Sequence, residues 1–472
     1  MTAAADRLEE YRAFLERKAQ SGEMEGFAPI YQPAFLYDFQ HALVEWSVRK
    51  GKAAIFADCG LGKTPMQLVW AENVVRQTNG RVLIVTPLAV SHQTVREGEK
   101  FGIEVRRSDN GTASQGITVT NYERLHLFSP ADFVGTVCDE SSAIKSFHGV
   151  RRELVTDFMR KHRYRLLATA TPSPNDYVEL GTSSEALGML TRTDMLERFF
   201  RNDDGTSLYT RAKWTGQKPV IQQGWRFKGH AEQPFWRWVC FWARAIRKPS
   251  DLGFSDEGFA LPELIVRDHL VKARRPRNGM LFEVTAIGLG EEREQERRTL
   301  SERCEQVAAL VNKTGKPAVV WCNRNDEGAL LSRLIPDAVE VSGADSDAHK
   351  EQAVIDFIEG KTRVLVSKPR IFGWGLNLQH CAHMTFFPSH SYESYYQAVR
   401  RCWRFGQTQP VTVDIVTTEG GQEAMASLER KALAAERMFT QLVAWMNDAM
   451  RVELRRDSEQ EILPSWLSLS RP

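Results

Sequence analysis

Short apolar runs recur along the chain, separated by amphipathic stretches of helix length. In the first half they are AAIFA (53–57), VLIVT (82–86), ITVTN (117–121), FVGTVC (133–138) and YRLLAT (164–169). In the second half they are AVVWC (318–322), AVEVS (338–342), RVLVS (363–367), HMTFF (383–387) and VTVDIV (411–416). Strands alternating with helical segments predict α/β architecture, a doubly wound parallel sheet covered by helices on both faces. Two sets of such strands predict two lobes of similar size.

The pattern breaks between about residues 190 and 262. Residues 205–250 hold nine Lys or Arg against one acid, Glu232, and five tryptophans: Trp214, Trp225, Trp236, Trp238 and Trp242. The chain as a whole carries a formal charge of only +2, so this basic stretch is offset elsewhere. It reads as a folded, basic and aromatic insertion between the lobes, with FWRWVCFW (235–242) as a helix that packs its aromatic face. The expected division is an N-terminal helix and loop (1–30), a first lobe (31–190), the insertion (191–262), a second lobe (263–452) and a polar tail (453–472). The run EEREQERRTLSER (291–303) reads as a solvated helix with ion pairs one turn apart.

Composition narrows the function classes. A hydrophobic content of 42% suits packed cores and excludes wholesale disorder. No run approaches the roughly 20 apolar residues of a membrane span, and MTAAADRLEEYRAF has no apolar signal region. Seven scattered cysteines without C-x-x-C fit a reducing compartment rather than a disulfide framework or a zinc site. A soluble, cytoplasmic protein is expected. Histidines form no H-E-x-x-H, and Ser389-His390-Ser391 lacks the frame of a nucleophile elbow.

Two segments carry chemistry. Ala57-Asp58-Cys59-Gly60-Leu61-Gly62-Lys63-Thr64 follows an apolar strand and opens a helix-forming run, the setting of a phosphate loop. Small residues let backbone N–H groups wrap phosphates at a helix N-terminus. Lys63 is then placed to reach the β- and γ-phosphates and Thr64 to ligate Mg²⁺. Ala57 stands where the strict pattern has glycine. Downstream, FVGTVC runs into Asp139-Glu140-Ser141-Ser142, putting two carboxylates at the C-terminal edge of the sheet, where open α/β folds bind ligands. Asp139 is the candidate Mg²⁺ holder and Glu140 the candidate base for an attacking water.

Taken in order over residues 31–420, these stretches resemble a superfamily 2 helicase core, and more narrowly the Snf-type double-stranded DNA translocases. Gln40 in LYDFQHAL, 23 residues before Lys63, resembles the family's adenine-reading glutamine. ADCGLGKTPMQL resembles its ATP-binding motif, with Gly60, Gly62, Lys63 and Thr64. VTPLAVSHQ (85–93) and TNYERL (120–125) resemble DNA-backbone motifs, DESSAIK (139–145) the Walker B motif, and ATATPSPND (168–176) the coupling motif with Thr169 and Thr171. FGWGLNLQ (372–379) supplies Gly375. Gln397 to Gln407 matches Q-x-x-x-R-x-x-R-x-G-Q, with Arg401 and Arg404 three apart on one helix face. Trp374 and Trp403 are bulkier than the family pattern.

The resemblance implies two RecA-like lobes, ATP and Mg²⁺ as cofactors, double-stranded DNA as partner and no membrane or zinc. Compact size resembles the stripped-down versions found in phages, prophages and bacteria. The active site it implies is split, with phosphate loop and acids on one lobe and arginines on the other, so hydrolysis requires closure. Lys213, Lys218, Arg226 and Lys228 in the insertion are candidate DNA contacts. Two rival readings are a strand-separating helicase on DNA or RNA, and a non-catalytic adaptor that binds nucleotide or DNA.

Overall fold

A computed structural model of the protein describes residues 24–144, 149–173, 177–203, 224–272, 274, 289–372, 377–418 and 422–458. All ten predicted strands form. The first six of the chain are β1 (Lys52–Ala57), β2 (Val82–Thr86), β3 (Val105–Arg107), β4 (Ile117–Asn121), β5 (Gly135–Asp139) and β6 (Tyr164–Thr169). A hairpin follows, β7 (Phe200–Asp203) with β8 (Gly224–Phe227), and then β9 (Ala243–Ile246). Apart from the hairpin these make one seven-stranded sheet in the order β3-β4-β2-β5-β6-β1-β9. Every pairing in it is parallel.

Parallel pairing sends the C-terminal ends of all these strands to one edge. Because β5, β6 and β1 are neighbours, three chemically loaded loops leave that edge side by side. The register aligns Asp139 with Ala168, and Thr169 with Phe56. The Asp58–Gly62 turn, the Asp139–Glu140 pair and the threonines Thr169 and Thr171 are therefore brought together by strand order alone.

The second sheet has six strands: β10 (Leu264–Val271), β11 (Ala318–Trp321), β12 (Ala338–Val341), β13 (Val364–Ser367), β14 (His383–Phe386) and β15 (Val411–Thr418). Its order is β10-β15-β14-β11-β13-β12, again all parallel. Each sheet separates two apolar clusters, one per face, as a doubly wound fold requires.

Within the segment 191–262, the described residues 232–246 pack on the first sheet. Its helix Glu232–Trp242 buries Phe235, Trp236, Trp238, Val239 and Trp242 in the cluster that covers one face of the first sheet. Trp242 meets Phe56 of β1 edge-on at 6.1 Å, and β9 pairs along β1. The first lobe thus runs on to Ile246. The tryptophans place it there, because burying such large apolar rings is worth more against a sheet face than in a free-standing element.

The helix Gln422–Ser458 follows β15 of the second sheet, yet adds Met438, Phe439, Leu442, Val443 and Met446 to that same first-lobe cluster. Arg247 and Glu436 pair across the join at 2.5 Å. This helix extends into the predicted tail, whose remainder, 459–472, lies outside the described residues, as do residues 1–23. No helix among the described residues is long and apolar enough to cross a membrane.

The run 291–303 departs from its solvated reading. It spans two helices, Leu289–Arg298 and Leu300–Thr314, and Gln295, Thr299 and Arg303 are buried. Arg303 enters the core because Glu327 waits there, with the pair closing at 2.7 Å.

A second polar group inside this lobe gives a pH-dependent expectation. Asp414 is buried, accepting from His383 Nε2 at 2.8 Å and His269 Nε2 at 2.8 Å. Burial pushes its carboxyl upward, but the bonds from His383 and His269 outweigh this and hold it below the usual carboxylate range. A depressed carboxyl contributes stability above its unfolded value and loses it as pH falls through the folded one. Asp414→Asn is expected to cost about 2 kcal/mol at pH 7, with the gap to wild type narrowing toward pH 3. Thermal melts at the two pH values measure it, and an unchanged gap would show that the carboxylate's charge is irrelevant.

Candidate active site

β1 ends at Ala57, and the chain turns through Asp58–Gly62 into the helix Lys63–Thr78. The turn needs glycine twice, since Gly60 has φ +90° and Gly62 φ +77°. A Cβ on Gly62 would lie 2.2 Å from Gln40 Nε2. That side chain underpins the loop, its Nε2 donating to Leu61 O at 2.9 Å and its Oε1 accepting from Tyr37 N at 3.0 Å. The structure therefore sets Gln40 against the loop backbone, with both ends of its amide engaged. Lys63 folds into the same loop, donating from Nζ to Ala57 O at 3.0 Å and Asp58 O at 3.4 Å.

One turn along the helix, Gln67 Nε2 donates to Asp139 Oδ1 at 2.6 Å, tying the loop helix to the acids. Tyr122, from the TNYERL segment, donates its hydroxyl to Asp139 O at 2.6 Å and so fixes the end of β5. Glu140 sits in the left-handed region at φ +50°. A non-glycine residue there stores roughly 1–3 kcal/mol of strain, which the surroundings must hold. Thr169 Oγ1 supplies part of that hold, donating to Glu140 Oε2 at 3.1 Å and accepting from Thr171 N at 3.0 Å. Burial, followed by the neighbouring Glu140 carboxylate, pushes Asp139 up to about 7. Asp139 and Glu140 are two buried acids side by side, with the Lys63 ammonium acting to lower Asp139. The oxygen donors of Asp139 and Thr64 suit a hard ion such as Mg²⁺.

The second lobe reaches this site through the helix Tyr392–Cys402 and the turn after it. Arg401 is buried, its Nε donating to Gln397 O at 3.2 Å, and Leu378 N donates to Arg401 O at 3.0 Å. Arg404 is held below the usual guanidinium range by burial and then by Arg401, while Cys59 of the phosphate loop and Glu97 act on it in the opposite sense. Glu97, on the helix Ser91–Phe101, also hydrogen-bonds Thr64. Phe405 lies over the phosphate loop, 2.8 Å from where a Cβ on Gly60 would be. Arg401 is thus buried near the end of the helix, whereas Arg404 is half-buried in the turn beyond it, off the helix face the sequence suggested, and beside the phosphate-loop segment. Among the described residues, the Gln397 amide nitrogen and the Thr171 hydroxyl are buried without a partner, and buried polar groups of that kind call for a ligand or water.

Residues 302–406 match the family model of the helicase conserved C-terminal domain. The match takes in most of the second sheet and ends at the glycine after the arginines. The second lobe is therefore similar to a helicase C-terminal domain. The chain is also similar to the SWI2/SNF2 ATPase core of Sulfolobus solfataricus, solved in complex with dsDNA, at 15% identity and a TM-score of 0.40. That alignment covers 89% of this chain and 96% of the other, and a likeness this loose bears no functional weight. No curated protein matches the chain.

The helicase-like reading of the sequence misses several residues at this site. Gln67 stands one helical turn after Lys63, a spacing that signals a shared face. Asp58, Tyr396, Arg400, Glu97 and Phe405 have no such signal; Arg400 and Asp58 lie 342 positions apart yet pair directly. Trp403, out of pattern in the sequence, lies 4.4 Å from the Arg400 guanidinium and donates from Nε1 to Pro262 O at 2.7 Å. Gln407 is a loop staple, donating to Gln379 O at 2.8 Å and Cys381 O at 3.0 Å. Of the DNA candidates, Arg226 on β8 and Lys228 just beyond it are exposed, with the Lys228 ammonium on Glu197 O. Lys213, Lys218 and Gly375 lie outside the described residues.

Proposed function

We propose that the protein is an ATP- and Mg²⁺-dependent motor that moves along double-stranded DNA. The observation that carries this reading is the arginine pair, Arg401 buried and Arg404 half-buried, with Arg404 within electrostatic reach of Cys59 and Glu97 of the first lobe. Guanidiniums of the second lobe stand beside the loop of the first, whose acids Asp139 and Glu140 follow β5, and a magnesium nucleoside triphosphate carries charge complementary to both.

In this reading Lys63 exchanges its own loop carbonyls for the β- and γ-phosphate oxygens, which the N–H groups around Gly60 and Gly62 also receive. Thr64 and Asp139 hold Mg²⁺, which when bound neutralises charge on the phosphates. Glu140 orients the attacking water and takes its proton on the carboxylate, while Arg401 and Arg404 stabilise the charge spreading over the transferring phosphoryl group. Thr169, bonded to Glu140, carries the protonation change into β6 and the Thr171 backbone. Loss of the γ-phosphate loosens the arginines, and the lobes part. Arg226 on β8, Lys228 just beyond it, and Lys213 and Lys218 in the sequence before them are the residues proposed to meet DNA phosphates. A basic contact of this kind is salt-dependent and blind to sequence.

The test is an ATPase assay across duplex DNA, single-stranded DNA and RNA, run beside triplex displacement and duplex unwinding. Duplex DNA is expected to stimulate hydrolysis and support triplex displacement without strand separation. Greater stimulation by single strands together with unwinding would make the protein a strand-separating helicase. ATP binding without hydrolysis on any nucleic acid would make it an adaptor.

A further inference from the structure

Asp58 is an odd residue for a phosphate loop. Its carboxylate is buried within the turn that would wrap the phosphates, and Cys59 N, a candidate phosphate donor, is spent on its Oδ1 at 2.6 Å. An anion there repels the anion the loop is built to receive. Two groups from the second lobe answer it: Tyr396 donates its hydroxyl to Oδ1, and Arg400 Nη2 donates to Oδ2. The Arg400 and Asp58 side chains are each only 6% exposed, so the pair is shielded from water and salt. Arg400 is also held along its length. Its guanidinium lies 4.4 Å from the Trp403 ring and 5.3 Å from the Tyr396 ring.

Geometry ties this pair to the arginines that follow it. Successive residues on a helix point roughly 100° apart. Anchoring Arg400 to the loop therefore fixes the rotation of the helix Tyr392–Cys402 about its axis, and with it the direction of Arg401. The same anchor sets the turn that carries Arg404 and Phe405.

We propose that Arg400 and Tyr396 are positioning residues that latch the second lobe onto Asp58 of the phosphate loop, aiming Arg401 and Arg404 at the nucleotide while cancelling a carboxylate that would otherwise repel it. The inference rests on the cleft being an ATP site. It assigns two effects to one contact, closure and neutralisation, and these separate experimentally. Arg400→Gln loses the latch and leaves Asp58 bare. Adding Asp58→Asn removes the bare charge but restores no strong latch.

Arg400→Gln is expected to raise KM for ATP at least tenfold and to lower kcat as well. The double variant Asp58→Asn with Arg400→Gln is expected to recover most of the KM while kcat stays low, a split that general misfolding would not produce. Tyr396→Phe, which removes one hydroxyl only, is expected to fold normally and show a smaller loss in the same direction. A second measurement needs no hydrolysis. All seven native cysteines are buried, so cysteines introduced at the exposed positions Val150 and Ile358 can carry a donor–acceptor dye pair. Without nucleotide, the transfer efficiency of wild type is expected to exceed that of Arg400→Gln. Unchanged efficiency in Arg400→Gln and Tyr396→Phe, or a double variant with no better KM than Arg400→Gln alone, would overturn the proposal. A wild-type chain that hydrolyses no ATP would instead overturn the ATP-site reading, and the dye measurement would still judge the latch.

Discussion

Arg404→Ala is expected to lower kcat for ATP hydrolysis by roughly 10³-fold, within the range an arginine supplied across a cleft commonly contributes. The side chain is half-buried near Arg401, with Cys59 of the phosphate loop and Glu97 close enough to act on its charge. As the phosphoryl group transfers, charge develops where the guanidinium already sits, so the interaction strengthens in the transition state and kcat should suffer more than KM. Arg404→Lys keeps a positive charge but loses the planar fork, and should recover less than a tenth of the lost activity. Steady-state hydrolysis at saturating DNA decides the matter. A drop in kcat smaller than about tenfold would remove Arg404 from the group that meets the transition state.

Glu140→Gln carries the second large effect. Removing a positioned general base typically costs 10²- to 10⁴-fold, roughly, and here the substitution preserves shape. The Thr169 hydroxyl can still donate to the amide oxygen, so the strained turn at φ +50° keeps its support. Nucleotide affinity should stay within about threefold of wild type while hydrolysis fails, leaving the lobes closed on uncleaved ATP. Fluorescent-nucleotide binding beside single-turnover hydrolysis reads both quantities. Hydrolysis at the wild-type rate would move the base elsewhere, and weakened binding would mean that Glu140 holds the loop rather than the water.

How far the site was legible in the sequence depends on the distance over which each contact is made. Lys63, Thr64 and the two glycines are readable because a phosphate loop is a local object: one strand end, one turn and one helix start. β2, β4 and β6 coincide with their predicted runs for the same reason, as each carries its own apolar signal. β3 is three residues with a single fully buried position, too short to stand out. β9 hides behind the tryptophan helix, following it without a break as the short run Ala243–Ile246, too short for an apolar alternation of its own to set it apart. The burial of Arg303 is equally unreadable from its own neighbourhood, since the local charges suggest water and the reason for burial is Glu327, on a different helix.

The chain's local chemistry therefore settled the α/β class, the two sets of strands, the glycine-bearing turn before Lys63 and the acids at the end of β5. Each follows from periodicity or from a turn that only certain residues can make. The joining of the lobes was decided by the tertiary structure. Nothing along the chain says that the tryptophan helix belongs to the first sheet, that the C-terminal helix crosses back to cover it, or that Arg400 closes on Asp58. Those are matters of which surfaces find each other once hydrophobic area and unpaired charge must be buried together, and that choice is made in space, between residues that have no pattern in common.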